Sequence, residues 1–179
     1  MTPSNASLLK EFRPTILFLA KFIGLYLIAN VVYGFFITYY EPGVDPVTHL
    51  VTQQSSHLLN ALGWENLIKD FPDRPTTYIQ WNNRGIVSVY EGCNGINVMI
   101  VFLSFIAAFG PLNKTAFWFS GVALVLIHIV NVLRVVCMFW VVIYINQYAY
   151  FVHKYLFTAT IYVFVLMLWM LWVKKYAKK

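Results

Sequence analysis

At 179 residues, 60% hydrophobic and only 11% charged, with a mean hydropathy of +0.65, the chain carries too little charge for a water-soluble surface, which is usually about a quarter charged. Its net charge of +6 does not point to nucleic acid, because Lys10, Arg13, Lys174, Lys175, Lys178 and Lys179 sit at the two ends beside apolar runs rather than on a basic face with interleaved aromatics. Its two cysteines, Cys93 and Cys137, form no CxxC pair and can build neither a zinc site nor a disulfide framework. The composition describes an all-α multi-pass membrane protein.

Residues 1–13 form a basic N-terminal segment, placed on the cytoplasmic side. Pro14 to Tyr40 supplies the first transmembrane helix (14–40), with Pro14 suited to a helix start. This apolar run is too long for a signal-peptide core of roughly 7–15 residues, and no small-x-small cleavage site closes it. Residues 41–92 follow as an extracytoplasmic cap; from Glu41 to Glu91 they hold six acids against three bases. Within the cap, Val47 to Trp64 has the spacing of an amphipathic helix. Thr76 to Tyr90 predicts a β-hairpin, with Tyr78, Ile79 and Trp81 facing Ile86, Val87 and Val89 across an Asn82-Asn83-Arg84-Gly85 turn.

Residues 93–173 carry the remaining spans, and 174–179 form a basic cytoplasmic tail. Asn94 to Gly110 is a short span stopped by Gly110–Pro111, and Lys154 to Val173 is the last. Thr115 to Tyr148 would be about 50 Å long as a helix, too long for one span and barely enough for two. Basic termini on the same side require an even number of crossings. The expectation is therefore about four transmembrane helices, with Thr115–Tyr148 crossing once and its outer end kinked or lying along the interface. The alternative splits that stretch, gives five crossings and puts the basic C-terminus outside.

Cys93 lies in Glu91-Gly92-Cys93-Asn94-Gly95-Ile96-Asn97, where the hairpin meets the second span. Two glycines allow a tight turn and close backbone approach. The first turn of a helix offers free N–H groups that favour a nucleophilic thiolate. The competing reading is a buried, inert cysteine that packs as a small hydrophobe. Arg134, near the outer end of the third span, is a charge among Leu, Val and Ile, and such a residue marks a functional site by default; its alternative is snorkelling to the outer headgroups. Asn131 precedes it by three residues and shares its helix face. His153 opens the last span; alone it would be an interfacial histidine. At the same depth as Cys93, an imidazole can take the thiol proton near neutral pH, and Arg134 can hold a developing oxyanion. Asn94, Asn97 and Asn131 are the candidates for binding or orienting a substrate. His49 and His57 lack a metal-ligand pattern. Ser104 and His128 fall mid-membrane without a glycine-rich nucleophile motif, so Ser104 reads as a helix-packing serine.

The run Glu91–Ile96, the run Asn131-Val132-Leu133-Arg134-Val135 and the later His153 resemble the exosortase/archaeosortase family, whose members carry a Cys followed by a small polar residue and Gly, then Asn-x-x-Arg, then His, in that order. The similarity covers roughly Val87 to Val173, and the length suits a compact bacterial member such as the F-type subgroup. The chain departs from the commoner pattern at Asn94, often Ser, and at Gly92, often Ala; neither change removes a reactive group.

The resemblance implies a membrane cysteine protease/transpeptidase in the bacterial cytoplasmic (inner) membrane, with its active site on the extracytoplasmic side. It implies exported protein substrates with a C-terminal sorting signal: a short motif, a hydrophobic helix and a basic tail. Cys93 would be the nucleophile, His153 the acid/base and Arg134 the transition-state stabiliser, with no metal or other cofactor. Two other readings stand beside it: a membrane thiol oxidoreductase using Cys93 and Cys137, and a non-catalytic membrane assembly factor in which the polar trio serves packing.

Overall fold

The computed structural model describes residues 5–71 and 73–175; residues 1–4, 72 and 176–179, including Lys178 and Lys179 of the expected tail, lie outside the described residues. Helix α1 runs Asn5–Tyr40 with Pro14 inside it. Pro14 therefore does not start the helix as expected: its ring removes one rung of the hydrogen-bond ladder, and the helix continues on both sides. Apolar side chains such as Ile28, Val31 and Val32 remain more than half exposed, as suits a helix that meets lipid. Its inner face packs on α3 through edge-to-face aromatics, with Phe18 5.6 Å from Phe105 and 5.7 Å from Phe109.

Helix α2 spans Pro46–Ala61. Asp45 caps it, its Oδ1 accepting from the Val47 and Thr48 amides, both at 3.0 Å. Its end is a left-handed glycine, Gly63 at φ +86°, with the Trp64 amide donating back to the Leu59 carbonyl. Three antiparallel strands follow in the order β1 (Leu67–Asp70), β2 (Thr76–Trp81) and β3 (Arg84–Tyr90). The turn is two residues long, with Asn82 at φ 50° and Asn83 at φ 60°, the primed geometry whose twist matches a hairpin. Arg84 and Gly85 consequently belong to β3 rather than to the turn. Ile79 pairs with Val87 and Thr77 with Val89, and a register shift sits between Ile79 and Gln80. Strand β1 was not anticipated, since Leu67-Ile68-Lys69-Asp70 shows no alternation for the eye to follow.

Helix α3 covers Ile96–Phe109 and α4 covers Lys114–Tyr144. The stretch that composition left open is one unbroken helix up to Tyr144, so it holds no turn at which the chain could cross twice. At about 1.5 Å per residue it is roughly 46 Å long. A 3₁₀ turn (Asn146–Tyr148), a single turn α5 (Ala149–Phe151) and a π turn (Val152–Leu156) lead into α6 (Phe157–Lys175). Among the described residues three helices are long and apolar enough to cross a membrane: Glu11–Tyr40, Lys114–Tyr144 and Asn146–Lys174. The 14-residue α3, about 21 Å long, is shorter than a hydrocarbon core of about 30 Å.

Among the described residues there are two apolar cores. One joins α3, α4 and α6 around Phe102, Ile127, Ile161 and Trp172. The other seats α2 and the sheet on the late part of α4 through Val51, Leu59, Ile79, Val89, Val136 and Phe139. Cys93 belongs to the second core and Val98, five residues on, to the first. The segment between them is the seam of the molecule. The left-handed turn gives a direct test of the hairpin: Asn83→Val places a β-branched residue at positive φ and costs about 1–2 kcal/mol, whereas Asn83→Gly is neutral or stabilising. Thermal unfolding midpoints in detergent distinguish the two.

Candidate active site

The segment from Glu91 to Ile96 is shaped by buried polar contacts. Cys93 closes a 3₁₀ turn (Glu91–Cys93), and α3 begins only at Ile96. The thiol therefore stands just before the helix and not in its first turn. The reason is local: Asn94 Oδ1 accepts the Ile96 amide at 3.0 Å, and Gly95 adopts φ +86°. Together these kink the chain between thiol and helix. A Cβ on Gly95 would also come within 3.1 Å of Asn131 Cγ, so glycine is required there for both conformation and space.

Two amides fix this segment to its surroundings. Asn94 is fully buried; its Nδ2 donates to Tyr33 Oη on α1 at 2.8 Å and to Thr48 Oγ1 on α2 at 3.1 Å. The Thr48 hydroxyl in turn donates to the Asp45 cap. Asn131, also fully buried on α4, donates Nδ2 to the Cys93 carbonyl at 2.8 Å. One turn further along α4, Arg134 reaches the cleft that holds Cys93.

His153 approaches from the other side. Its Nε2 lies 3.8 Å from Cys93 Sγ, across 60 residues of chain. The π turn Val152–Leu156 carries it; an extra residue in a helical turn re-aims side chains and is frequent at functional positions. Cys93, Arg134 and His153 line one cleft of about 230 Å³ with Tyr90, Val135 and Met138. Cys93 itself is 4% exposed, so the cleft is its route to solvent. Among the described residues no salt bridge engages Arg134, which leaves its positive charge available to the cleft.

The three expected catalytic residues thus converge, and the three asparagines separate. Asn131 and Asn94 are inside and structural in their contacts, whereas Asn97 is exposed and lies outside the cleft. Cys137 is free and lines a different cavity, with Leu133, Phe157 and Thr160. His128 contacts Gln54 Oε1 at 2.6 Å and Ser104 is buried elsewhere in α3.

Sequence reasoning missed Tyr90. Its ring lies against Gly92, where an added Cβ would meet Tyr90 Cε2 at 2.6 Å. That contact explains why glycine stands at position 92. The charge of Cys93, then burial, push the Tyr90 phenol above its usual range, with Arg134 acting in the opposite direction. A phenol held protonated stays uncharged beside the thiol through alkaline pH. The only signal in the sequence is an aromatic one residue before the Glu-Gly-Cys run, which is too weak to have singled it out.

The fold and cleft define a multi-helix membrane protein with a cysteine, a histidine and an arginine gathered at one helix end. The family model described as transmembrane exosortase matches residues 12–173, and the chain belongs to that family. No match was found among curated proteins or among solved structures.

Two variants test the site's construction. Gly95→Ala, strained at positive φ and crowding Asn131, destabilises by more than about 1 kcal/mol and slows alkylation of Cys93 by iodoacetamide in a Cys137→Ala background. Tyr90→Phe removes the phenol hydroxyl from the cleft while keeping the ring. It should slow that alkylation several-fold at pH 7.5 with little change in melting temperature.

Proposed function

We propose that this exosortase is a membrane cysteine protease/transpeptidase that cleaves C-terminal sorting signals of exported proteins at the outer face of the bacterial cytoplasmic membrane. The observation that carries this reading is the 3.8 Å approach of His153 Nε2 to Cys93 Sγ with Arg134 in the same cleft. In this reading the short α3 serves as a fourth crossing beside the three long helices, which keeps the basic residues inside and leaves the acidic 41–92 segment and the cleft on the extracytoplasmic side.

In the reaction His153 takes the Cys93 proton, and the thiolate attacks the scissile carbonyl carbon. The Arg134 guanidinium stabilises the resulting oxyanion. The C–N bond breaks as His153 returns the proton to the leaving amine, which departs with the hydrophobic helix and basic tail. A thioester remains on Cys93. A second nucleophile, an amine or water, then gives its proton to His153 and attacks the thioester carbonyl; the C–S bond breaks and the thiol is restored. Every side chain the scheme needs is in the cleft, and Asn131 holds the Cys93 backbone during the attack.

The separation of the cysteines weighs against the thiol oxidoreductase reading, because Cys137 opens to another cavity. Mass spectrometry of the C-termini of exported proteins tests the proposal. Cys93→Ala and Cys93→Ser abolish processing while the protein stays folded, and Cys137→Ala processes normally. His153→Ala lowers the rate about 10²–10⁴-fold and Arg134→Gln about 10²–10³-fold. Full processing by folded Cys93→Ala would end the enzyme hypothesis, and dependence on Cys137 would favour redox chemistry.

A further inference from the structure

The cleft is built along a strand edge. β3 is the terminal strand of the sheet, hydrogen-bonded to β2 on one side only. The five consecutive residues Ile86 to Tyr90 all line the Cys93 cleft. Successive strand residues point to opposite faces, so the four regular residues Val87 to Tyr90 in a row at one cavity mean that the cavity follows the strand's backbone edge rather than either face. Val87 and Val89 turn into the core against Val135 and Val136, while Ser88 is exposed and Tyr90 is 40% exposed.

The residues of this edge differ from those that protect strands from pairing. Natural edges are blunted by charge, proline, short length or bulges. From Gly85 to Tyr90 there is neither charge nor proline. The devices that β3 does carry are Arg84 at its first position and a bulge at Ile86, where the pairing steps from Ile79 with Val87 to Gln80 with Gly85. Both lie at the turn end, and Val87 to Tyr90 is regular up to Cys93. The opposite edge, β1, shows the usual protection: it has four residues and carries Lys69 and Asp70. An unprotected edge is thus kept only where it runs into the thiol.

We infer that the free edge of β3 is the peptide-binding track of the site: the substrate segment preceding the scissile bond adds to it as a fourth strand. This rests on the peptidase function proposed above. Val87 to Tyr90 provides about 13 Å of regular track at about 3.3 Å per residue. Alternate residues of the edge direct their backbone amide and carbonyl outward, so pairing holds an extended peptide through its main chain and tolerates varied side chains. The direction is set by the fold. β3 approaches Cys93 with its C-terminal end, and the retained, exported part of a substrate must reach the thiol from outside. The added strand therefore runs parallel to β3. Its side chains alternate between the apolar wall of Val135 and Met138 and solvent.

Photo-crosslinking in cells tests this. A benzoylphenylalanine reporter is placed at Ser88, at Ile86 or, as a control, at Lys69 on β1, in a Cys93→Ala background. The probe is one tagged exported protein identified by its uncleaved C-terminus in that strain. Ser88 and Ile86 are expected to capture it and Lys69 is not. Moving the reporter from Ser88 to Ile86, at the bulge, shifts the captured substrate residue toward its N-terminus. Capture at Lys69 instead, the same substrate residues from both β3 positions, or a shift in the opposite direction overturns the inference. A reporter at Met138, across the cleft, separates the two hypotheses. Capture there without capture at β3 sinks the strand track alone, whereas normal processing in the Cys93→Ala strain sinks the function itself.

Discussion

The hydrogen bond from Asn131 Nδ2 to the Cys93 carbonyl, 2.8 Å and fully buried, is the constraint on which the site depends. It joins the segment before α3 to α4, and α4 also carries Arg134 one turn later. With little water to compete, a buried amide that loses its partner is left with an unmet donor, which costs about 1–3 kcal/mol. The thiol-to-guanidinium geometry is thereby tied to backbone position rather than to flexible side chains. Gly95 is a consequence of the same bond, since any larger residue would press on the Asn131 amide.

Asn94 extends that constraint to the rest of the molecule. Through Tyr33 and Thr48 it connects the thiol segment to α1 and to the capped start of α2. The Tyr33 hydroxyl also donates to the Glu91 carbonyl at 3.4 Å. The sheet, α2 and the long helices thus meet at a few buried polar contacts on a seam between two apolar cores. A reactive group at such a seam gains rigidity from both cores and access from the cleft between them. Within a core it would be sealed, and on a loop it would be imprecisely placed.

Much of the frame was readable from local pattern. Long apolar runs have only one stable form in lipid, and an Asn-Asn pair between β-rich runs marks a hairpin. The boundaries read less well. Pro14 has the chemistry of a helix start, yet the helix runs through it, and Arg84 and Gly85 look like turn residues but pair with Trp81 and Gln80. Strand β1 exists only because β2 offers it an edge; nothing in Leu67-Ile68-Lys69-Asp70 favours a strand by itself.

For the site, the sequence determined which groups were available: one cysteine between glycines, one arginine among aliphatics, and a histidine at the mouth of the last apolar run. Their chemical oddity against an apolar background is a local property, so no structure was needed to notice it. Only the tertiary structure decided that His153 comes within 3.8 Å of Cys93, because that distance depends on the π turn and on how three helices pack. It likewise turned Asn94 inward, left Asn97 outside, brought Tyr90 over Gly92 and laid the β3 edge along the cleft. Each of these follows from contacts between residues far apart in the chain, which local spacing does not encode.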